Sequence, residues 1–405
     1  MGVLLQTVYP LFLFFLFVAA PLKATTATTI LWTAPAILVA ALMIAWAAES
    51  AQYFVAQGFA LAMLAWMQTL PEFAVEFVLA WHQQTHLLLA NLTGALRLLT
   101  GLGWPAIYAT AAFAHRRASG QPLRRIVLDE HHSVEVMGLL AALLYIPVIA
   151  IKHSLTVYDG AILIAIYGAY LWILQKLPSE DHETIDELEI IPRTIVKASR
   201  GRRIFAIGAL FIGGGALIYF SAEPFLASLL ALATLAGVPA FVFVQWIAPL
   251  VSEFPEMLST LYWARRSDRA PMALMNMVSS NINQWTLLAA MLPIVYSISM
   301  GAATPITFDD EQEMELWLTL GQAAVALVFL INMELDWWEA AVLFVLFAIP
   351  FFSSAAEPVI TWIYFGWAGL EVVRMLIGRH KAPALSLFVK VWNDHVSGTG
   401  PGDRA

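Results

Sequence analysis

Cysteine is absent from all 405 residues, which excludes disulfides, thiol catalysis and cysteine-based metal sites. Charge is scarce: Asp, Glu, Lys and Arg together make up 12% of the chain, about half the share usual in soluble domains. Hydrophobic residues reach 60%, and no soluble domain of this length has interior enough to hide that much apolar surface. The net charge of −8 is spread over loops and buried acids and points to no partner. Basic residues are also missing ahead of the first apolar stretch, at 8–21, so it reads as an anchor helix and not as a cleaved signal peptide.

What the chain has in abundance is long apolar runs. Twelve fall at 8–21, 30–51, 59–81, 87–113, 134–151, 158–174, 204–230, 238–263, 271–299, 314–331, 337–352 and 359–377, most of them near the roughly 20 residues a spanning helix needs. The 15 Trp fit aromatic belts at the two membrane surfaces. Threading these spans with the N-terminus inside puts nearly all Lys and Arg inside, among them Arg116, Arg117, Arg124, Arg125, Arg265, Arg266 and Arg269. Lys23, Lys152 and the acidic run 309–315, which includes Glu315, fall outside, and Arg97 falls within the membrane. The expected location is the cell membrane, with both termini cytoplasmic.

Two short motifs deep in this apolar sequence carry the chemistry. The first is Thr69-Leu70-Pro71-Glu72-Phe73 and the second Glu253-Phe254-Pro255-Glu256-Met257. Each is followed by an Asn-containing segment, Asn91-Leu92-Thr93-Gly94-Ala95-Leu96 and Asn276-Met277-Val278-Ser279-Ser280-Asn281. A glutamate at membrane depth is costly, and beside a helix-breaking proline it marks a functional site. Equivalent interrupted helices in two halves are the sign of a transporter built from internal repeats. With the terminal spans set aside, the motifs sit on the second and seventh helices of a ten-helix core. The odd spacing makes the two five-helix halves run in opposite senses, with the substrate site near the midplane where the halves meet. The expected fold is therefore an all-α polytopic membrane protein, two inverted five-helix repeats plus one extra helix at each end. Its boundaries are an N-terminal helix at 1–25, a first repeat at 26–175, a charged cytoplasmic loop at 176–203, a second repeat at 204–354, an extra helix at 355–378 and a tail at 379–405.

These residues resemble the sodium/calcium exchanger superfamily of cation antiporters, whose two repeats read approximately Thr-Ser-Leu-Pro-Glu followed by Gly-Asn-x-x-Gly-Ser-Asn. The likeness covers residues 30–352 and includes the stretch from Tyr158-Asp159-Gly160 to Tyr170; Ala48-Glu49 and Ala222-Glu223 resemble the acidic position before each repeat. The resemblance implies a secondary antiporter that exchanges a metal cation, calcium or another, for sodium or protons by alternating access. It implies paired acid roles for Glu72 and Glu256, with Thr69, Ser252, Ser280 and Gln284 as neighbouring ligand positions. The chemistry is coherent: a dehydrated calcium ion takes about six to eight oxygen ligands, and the two carboxylates supply compensating charge. Pro71 and Pro255 each remove a helical hydrogen bond and free carbonyls for a cavity.

The chain also departs from the family pattern. Ala95 stands where the family has Ser, and Leu99 where Asn or Asp is usual; the second repeat keeps Ser280 and Gln284 at the corresponding positions. Glu253 replaces a usual serine, and Glu76 follows Glu72 by one helical turn. Clustered carboxylates cannot all ionise in a poorly hydrated site without a cation, which makes proton-for-cation exchange as plausible as sodium-for-calcium. Arg97 has two readings, a structural ion pair, for instance with Glu76, or a built-in cation filling the depleted corner. Glu49 and Glu223 read as water-facing groups more readily than as ligands.

Two features outside the membrane invite other functions. His131 and Glu135, one turn apart beside His132, have a spacing able to hold a metal, and the acidic segment 180–189 could in principle bind calcium, though it lacks EF-hand spacing. Three functions therefore compete: an antiporter, a transport-inactive member of the fold acting as a cation-sensing or regulatory subunit, and a membrane metalloenzyme centred on His131. The antiporter reading makes the protein no enzyme, with no resident cofactor. Its partners are membrane lipid and the transported cation (calcium, sodium or proton), with no nucleic acid and the oligomeric state open.

Overall fold

The computed structural model describes residues 26–51, 53–54, 69–177, 188, 190–378 and 381–397. The first apolar stretch, the part of the third ahead of Thr69, the acidic segment apart from Leu188 and the end of the tail lie outside the described residues. In chain order the helices are α1 (Ile30–Ala51), α2 (Leu70–Trp81), α3 (Thr85–Leu98), α4 (Trp104–Ser119), α5 (Ser133–Ile151), α6 (Val157–Leu174), α7 (Ile190–Lys197), α8 (Arg200–Ala236) and α9 (Ala240–Ser252). They continue with α10 (Phe254–Ala264), α11 (Ala270–Asn283), α12 (Ala289–Met300), α13 (Asp310–Leu330), α14 (Trp337–Phe352), α15 (Glu357–Leu376) and α16 (Pro383–Val391). Four short strands lie in the connections: β1 (Arg125–Val127), β2 (Ser154–Leu155), β3 (Ile306–Thr307) and β4 (Glu334–Asp336).

Seven described helical segments are long and apolar enough to cross a membrane, and α9 and α14 are shorter apolar helices. The protein is a nearly all-helical integral membrane protein. Many helices are apolar all round and leave large side chains uncovered, such as Trp362, Leu376, Phe352 and Tyr219. On a water-facing surface these would be costly; against lipid they cost nothing.

The chain divides into two compact units, each drawing on both halves of the sequence: Met1–Leu79 with Ser179–Pro255, and Ala80–Pro178 with Glu256–Ala405. The first unit is organised around α1 and α8. Lipid gives apolar helices no reason to associate, so close approach and polar bonds must hold them. Gly214 provides the approach: a Cβ there would lie 2.8 Å from Ile44 Cγ1 and 3.0 Å from the Ala40 carbonyl. A hydroxyl bond of 3.0 Å joins Thr33 to Ser228. Ala36, Ala40, Ile44, Leu217 and Ile218 form the core, and Leu70 and Ala74 of α2 pack against it, which seats the start of the first glutamate helix.

In the second unit, features of the first half recur in the second. Strand β1 pairs antiparallel with β4 (Arg125 opposite Asp336), and β2 pairs with β3 (Ser154 opposite Thr307), so each ladder joins a connection of one half to a connection of the other. Gly120 and Gly301 both end helices in the left-handed region, and His153 and Met333 adopt it at matching places before β2 and β4. Capping boxes start α6 (Thr156 with Asp159) and α14 (Asp336 with Glu339). Asp159 explains part of the tyrosine–aspartate–glycine stretch: it accepts from Tyr145 Oη at 2.7 Å, from the Thr156 amide at 2.7 Å and from Lys152. It ties the start of α6 to the end of α5 and is a structural group.

One further recurrence bears on the site. After α3 and after α11 the helix loosens into a single π turn, at Leu99–Gly103 and at Gln284–Leu288. The first is closely packed: a Cβ on Gly101 would lie 2.4 Å from Phe347 Cβ of α14. Gly101→Ala is therefore expected to destabilise the protein by about 1–3 kcal/mol through overpacking. Thermal unfolding checks this against Gly168→Ala, where a methyl meets nothing within 4 Å. The tail is also structured in part: α16 buries Ala384 and Val391, and Lys390 Nζ lies 2.7 Å from Glu130 Oε2.

Candidate functional site

All eight residues singled out from the sequence are buried. In the first unit, α2 begins one residue after Thr69, whose carbonyl accepts from the Phe73 amide at 2.9 Å. Glu72 and Glu76 follow one turn apart, 1% and 0% exposed. Ser252 ends α9, its hydroxyl 3.4 Å from the Pro249 carbonyl, and Glu253 is the residue between α9 and α10, buried, with its amide donating to the same carbonyl at 2.8 Å. Glu49 of α1 is half-buried and Glu223 of α8 is exposed.

The prolines sit differently from the sequence expectation. Pro255 is the second residue of α10 and Pro71 the second of α2. A first-turn amide has no intrahelical partner in any case, so proline is tolerated there and opens the helix. The interruption of the second motif is the break at Glu253, and the run 238–263 is two helices, not one.

In the second unit Glu256 has a defined shell. Ser280 Oγ donates to Glu256 Oε2 at 2.9 Å, and Asn276 Nδ2 donates to Oε1 at 3.3 Å. Thr260 Oγ1 donates to the Glu256 carbonyl at 3.0 Å, which fixes the first turn of α10. An ionised carboxylate only accepts and offers about four lone-pair sites, so two donors orient it and leave capacity for a cation. Asn276, Ser280 and Gln284 succeed one another at one-turn intervals, and Gln284 opens the second π turn. Asn276 was not in the candidate set; its one-turn spacing from Ser280 is the signal that could have placed it there.

The equivalent face of α3 carries fewer side-chain oxygens. Asn91 is buried, but Ala95 and Leu99 are fully buried without side-chain oxygens. Leu99 opens the first π turn as Gln284 opens the second. Arg97 lies two residues from each. Its Nη2 is 2.9 Å from Glu315 Oε2 of α13, and both side chains are at most 2% exposed. The structural ion-pair reading of Arg97 stands, with Glu315 as a partner that the sequence had assigned to an acidic run outside the membrane. Asp309, the cap of α13, is held below the usual carboxylate range: partial burial pushes it up, but the Gln312 amide and His86 outweigh that.

His131, His132 and Glu135 do not assemble a metal site. Among the described residues no group of three or more His, Asp or Glu is placed to hold one. His132 Nδ1 accepts from the Asp129 amide at 3.1 Å, and the His131 ring lies 5.5 Å from that of His395.

Comparison with known proteins gives a consistent result. The profile of the family described as sodium/calcium exchanger protein matches residues 24–176 and 207–353. Among solved structures, the H+/Ca2+ exchanger CAX is 30% identical, with a TM-score of 0.87 over 97% of this chain and 98% of that one. YfkE, described as a Ca2+/H+ antiporter protein, is 14% identical with a TM-score of 0.59, covering 85% and 97%. The sodium-calcium exchanger NCX_Mj is 17% identical with a TM-score of 0.51, covering 80% and 97%. The last two likenesses concern the fold alone. No curated protein sequence matches.

Proposed function

The chain belongs to the sodium/calcium exchanger protein family, a family of transporters and not of catalytic enzymes, and we propose that within it this protein exchanges calcium for protons. The observation that carries the choice of ion is the first half's binding face. Ala95 and Leu99, both fully buried, provide no oxygen where the family pattern has polar residues, while Glu76 and Glu253 add buried carboxylates. A site with fewer neutral oxygens and more carboxylates suits a doubly charged ion and protons better than several sodium ions. The likeness to an H+/Ca2+ exchanger over nearly the full length of both chains supports the same ion pair.

In this reading Glu72 and Glu256 carry the cation's charge. Thr69, Ser252, Ser280 and Gln284 supply neutral oxygens, and Glu76 and Glu253 accept protons when calcium leaves. The ten-helix core in two inverted repeats gives alternating access, for which the break at Glu253 is a suitable flexing point. The protein sits in the cell membrane with both termini in the cytoplasm, a topology supported by the arginine-rich helix ends around Arg116, Arg124 and Arg265.

Flux in proteoliposomes tests this. Calcium uptake is expected under an imposed pH gradient and not under a sodium gradient. Uptake driven by sodium alone would restore the sodium-coupled reading. Movement under neither gradient would replace transport by cation sensing.

A further inference from the structure

A charged pair is buried at α3, and two side-chain contacts joined by backbone, Thr100 with Asn281 and Ser280 with Glu256, lead from it to the cation site. Glu315 and Gln322 stand two turns apart on one face of α13 and hold Arg97 at both ends. Glu315 pairs with the guanidinium at 2.9 Å, and Gln322 Nε2 donates to the Arg97 carbonyl at 3.0 Å. Arg97 is thus pinned by side chain and by main chain, two residues before α3 gives way to its π turn. Within that turn, Thr100 Oγ1 donates to Asn281 Oδ1 of α11 at 3.1 Å, and both groups are buried. Asn281 adjoins Ser280, the residue that donates to Glu256. Every one of these residues belongs to the second unit.

A π turn carries an extra residue and is easily lost by slipping one position back into α-helix. A slip here would rotate Thr100 away from Asn281. The double grip on Arg97 opposes the slip from one side, and the Thr100–Asn281 bond opposes it from the other. An ion pair is costly to bury and is retained where it fixes register. We propose that Arg97, held by Glu315, is a positioning residue for calcium binding: it sets the π turn of α3, and Thr100 transmits that setting through Asn281 to the Ser280–Glu256 pair. This rests on the reading of Glu256 as a cation ligand.

The test measures KM for calcium and maximal flux separately, in proteoliposomes under a fixed pH gradient. Thr100→Val keeps the shape and removes the hydroxyl; it is expected to raise KM roughly fivefold, the scale of one hydrogen bond, with maximal flux per folded protein little changed. Thr100→Ser is expected to restore wild-type KM. Arg97→Met/Glu315→Met removes both charges together and is expected to raise KM similarly. Adding Thr100→Val to that pair is expected to raise it little further, because all three act through one π turn.

A loss of folded protein with unchanged KM would make the residues merely structural and overturn the inference, as would effects that multiply independently. Glu256→Gln separates this failure from a failure of the functional reading. If that variant is inactive while the Thr100 and Arg97 variants keep wild-type KM, only the positioning role falls. If that variant still transports calcium, Glu256 is no ligand and both fall.

Discussion

Glu256→Gln is expected to lower calcium flux by roughly 100-fold or more while leaving the fold intact. Gln preserves the length and most of the shape of Glu, and Ser280 can still bond to it. What disappears is the charge, and losing one member of a desolvated charge pair costs about 3 kcal/mol or more, a factor above 100 in affinity. The stability readout points the other way. A buried carboxylate without its cation is an unfavourable group, so the apo variant should unfold at the same temperature as wild type or higher. Calcium at about 100 times its Kd should stabilise wild type by about 2.7 kcal/mol and the variant by nearly nothing. Lower apo stability with preserved flux would make Glu256 a structural acid. Glu72→Gln is expected to behave alike, since the two motifs occupy corresponding places in the two halves.

How much of this was legible in the sequence depended on what kind of signal each feature leaves. Helices that are apolar from end to end were read to their boundaries: α1 and α14 match the runs at 30–51 and 337–352 residue for residue. Helix α8 starts four residues earlier and ends six later than its run, because its arginine-rich start and the helix-favouring residues 231–236 continue the hydrogen-bond ladder until Gly237 turns left-handed. The break at Glu253 was signalled by Pro255 but falls two residues before it, because a proline is tolerated in the first turn of α10. The π turns were invisible: one inserted residue shifts a periodicity that an all-apolar helix does not display. The two β ladders are too short to have a pattern at all. The Glu256–Ser280 contact agrees with what the resemblance implied, since it set both residues as ligand positions of the second repeat. Repetition also exposed Ala95 and Leu99 by contrast with Ser280 and Gln284. Glu315 was missed as the partner of Arg97 because its run of acids looks solvated; only the cap at Asp309 shows that the helix, and Glu315 with it, starts there and turns inward.

That pair supports the second large expectation. Arg97→Met alone is expected to destabilise the protein by about 3–5 kcal/mol, because it leaves the Glu315 charge buried without its arginine. Glu315→Met alone should cost less, because Arg97 keeps its attraction to Glu357. The double variant Arg97→Met/Glu315→Met should recover most of the loss, and in a purely apolar setting it would equal or exceed wild type. The three outcomes follow from one asymmetry: desolvating two charges costs nearly as much as their attraction returns, whereas one unmatched charge has only the cost. Thermal unfolding of purified protein in a single detergent measures all three, and the double-mutant cycle gives the coupling directly. A coupling near zero would mean that Arg97 and Glu315 are each held by other groups and that their 2.9 Å approach is incidental. A strong coupling together with a fully stable double variant would mean the charges are not kept for stability. Their persistence in a membrane interior then has to be explained by what they position, and the nearest thing they position is the turn of α3 that reaches across to Asn281.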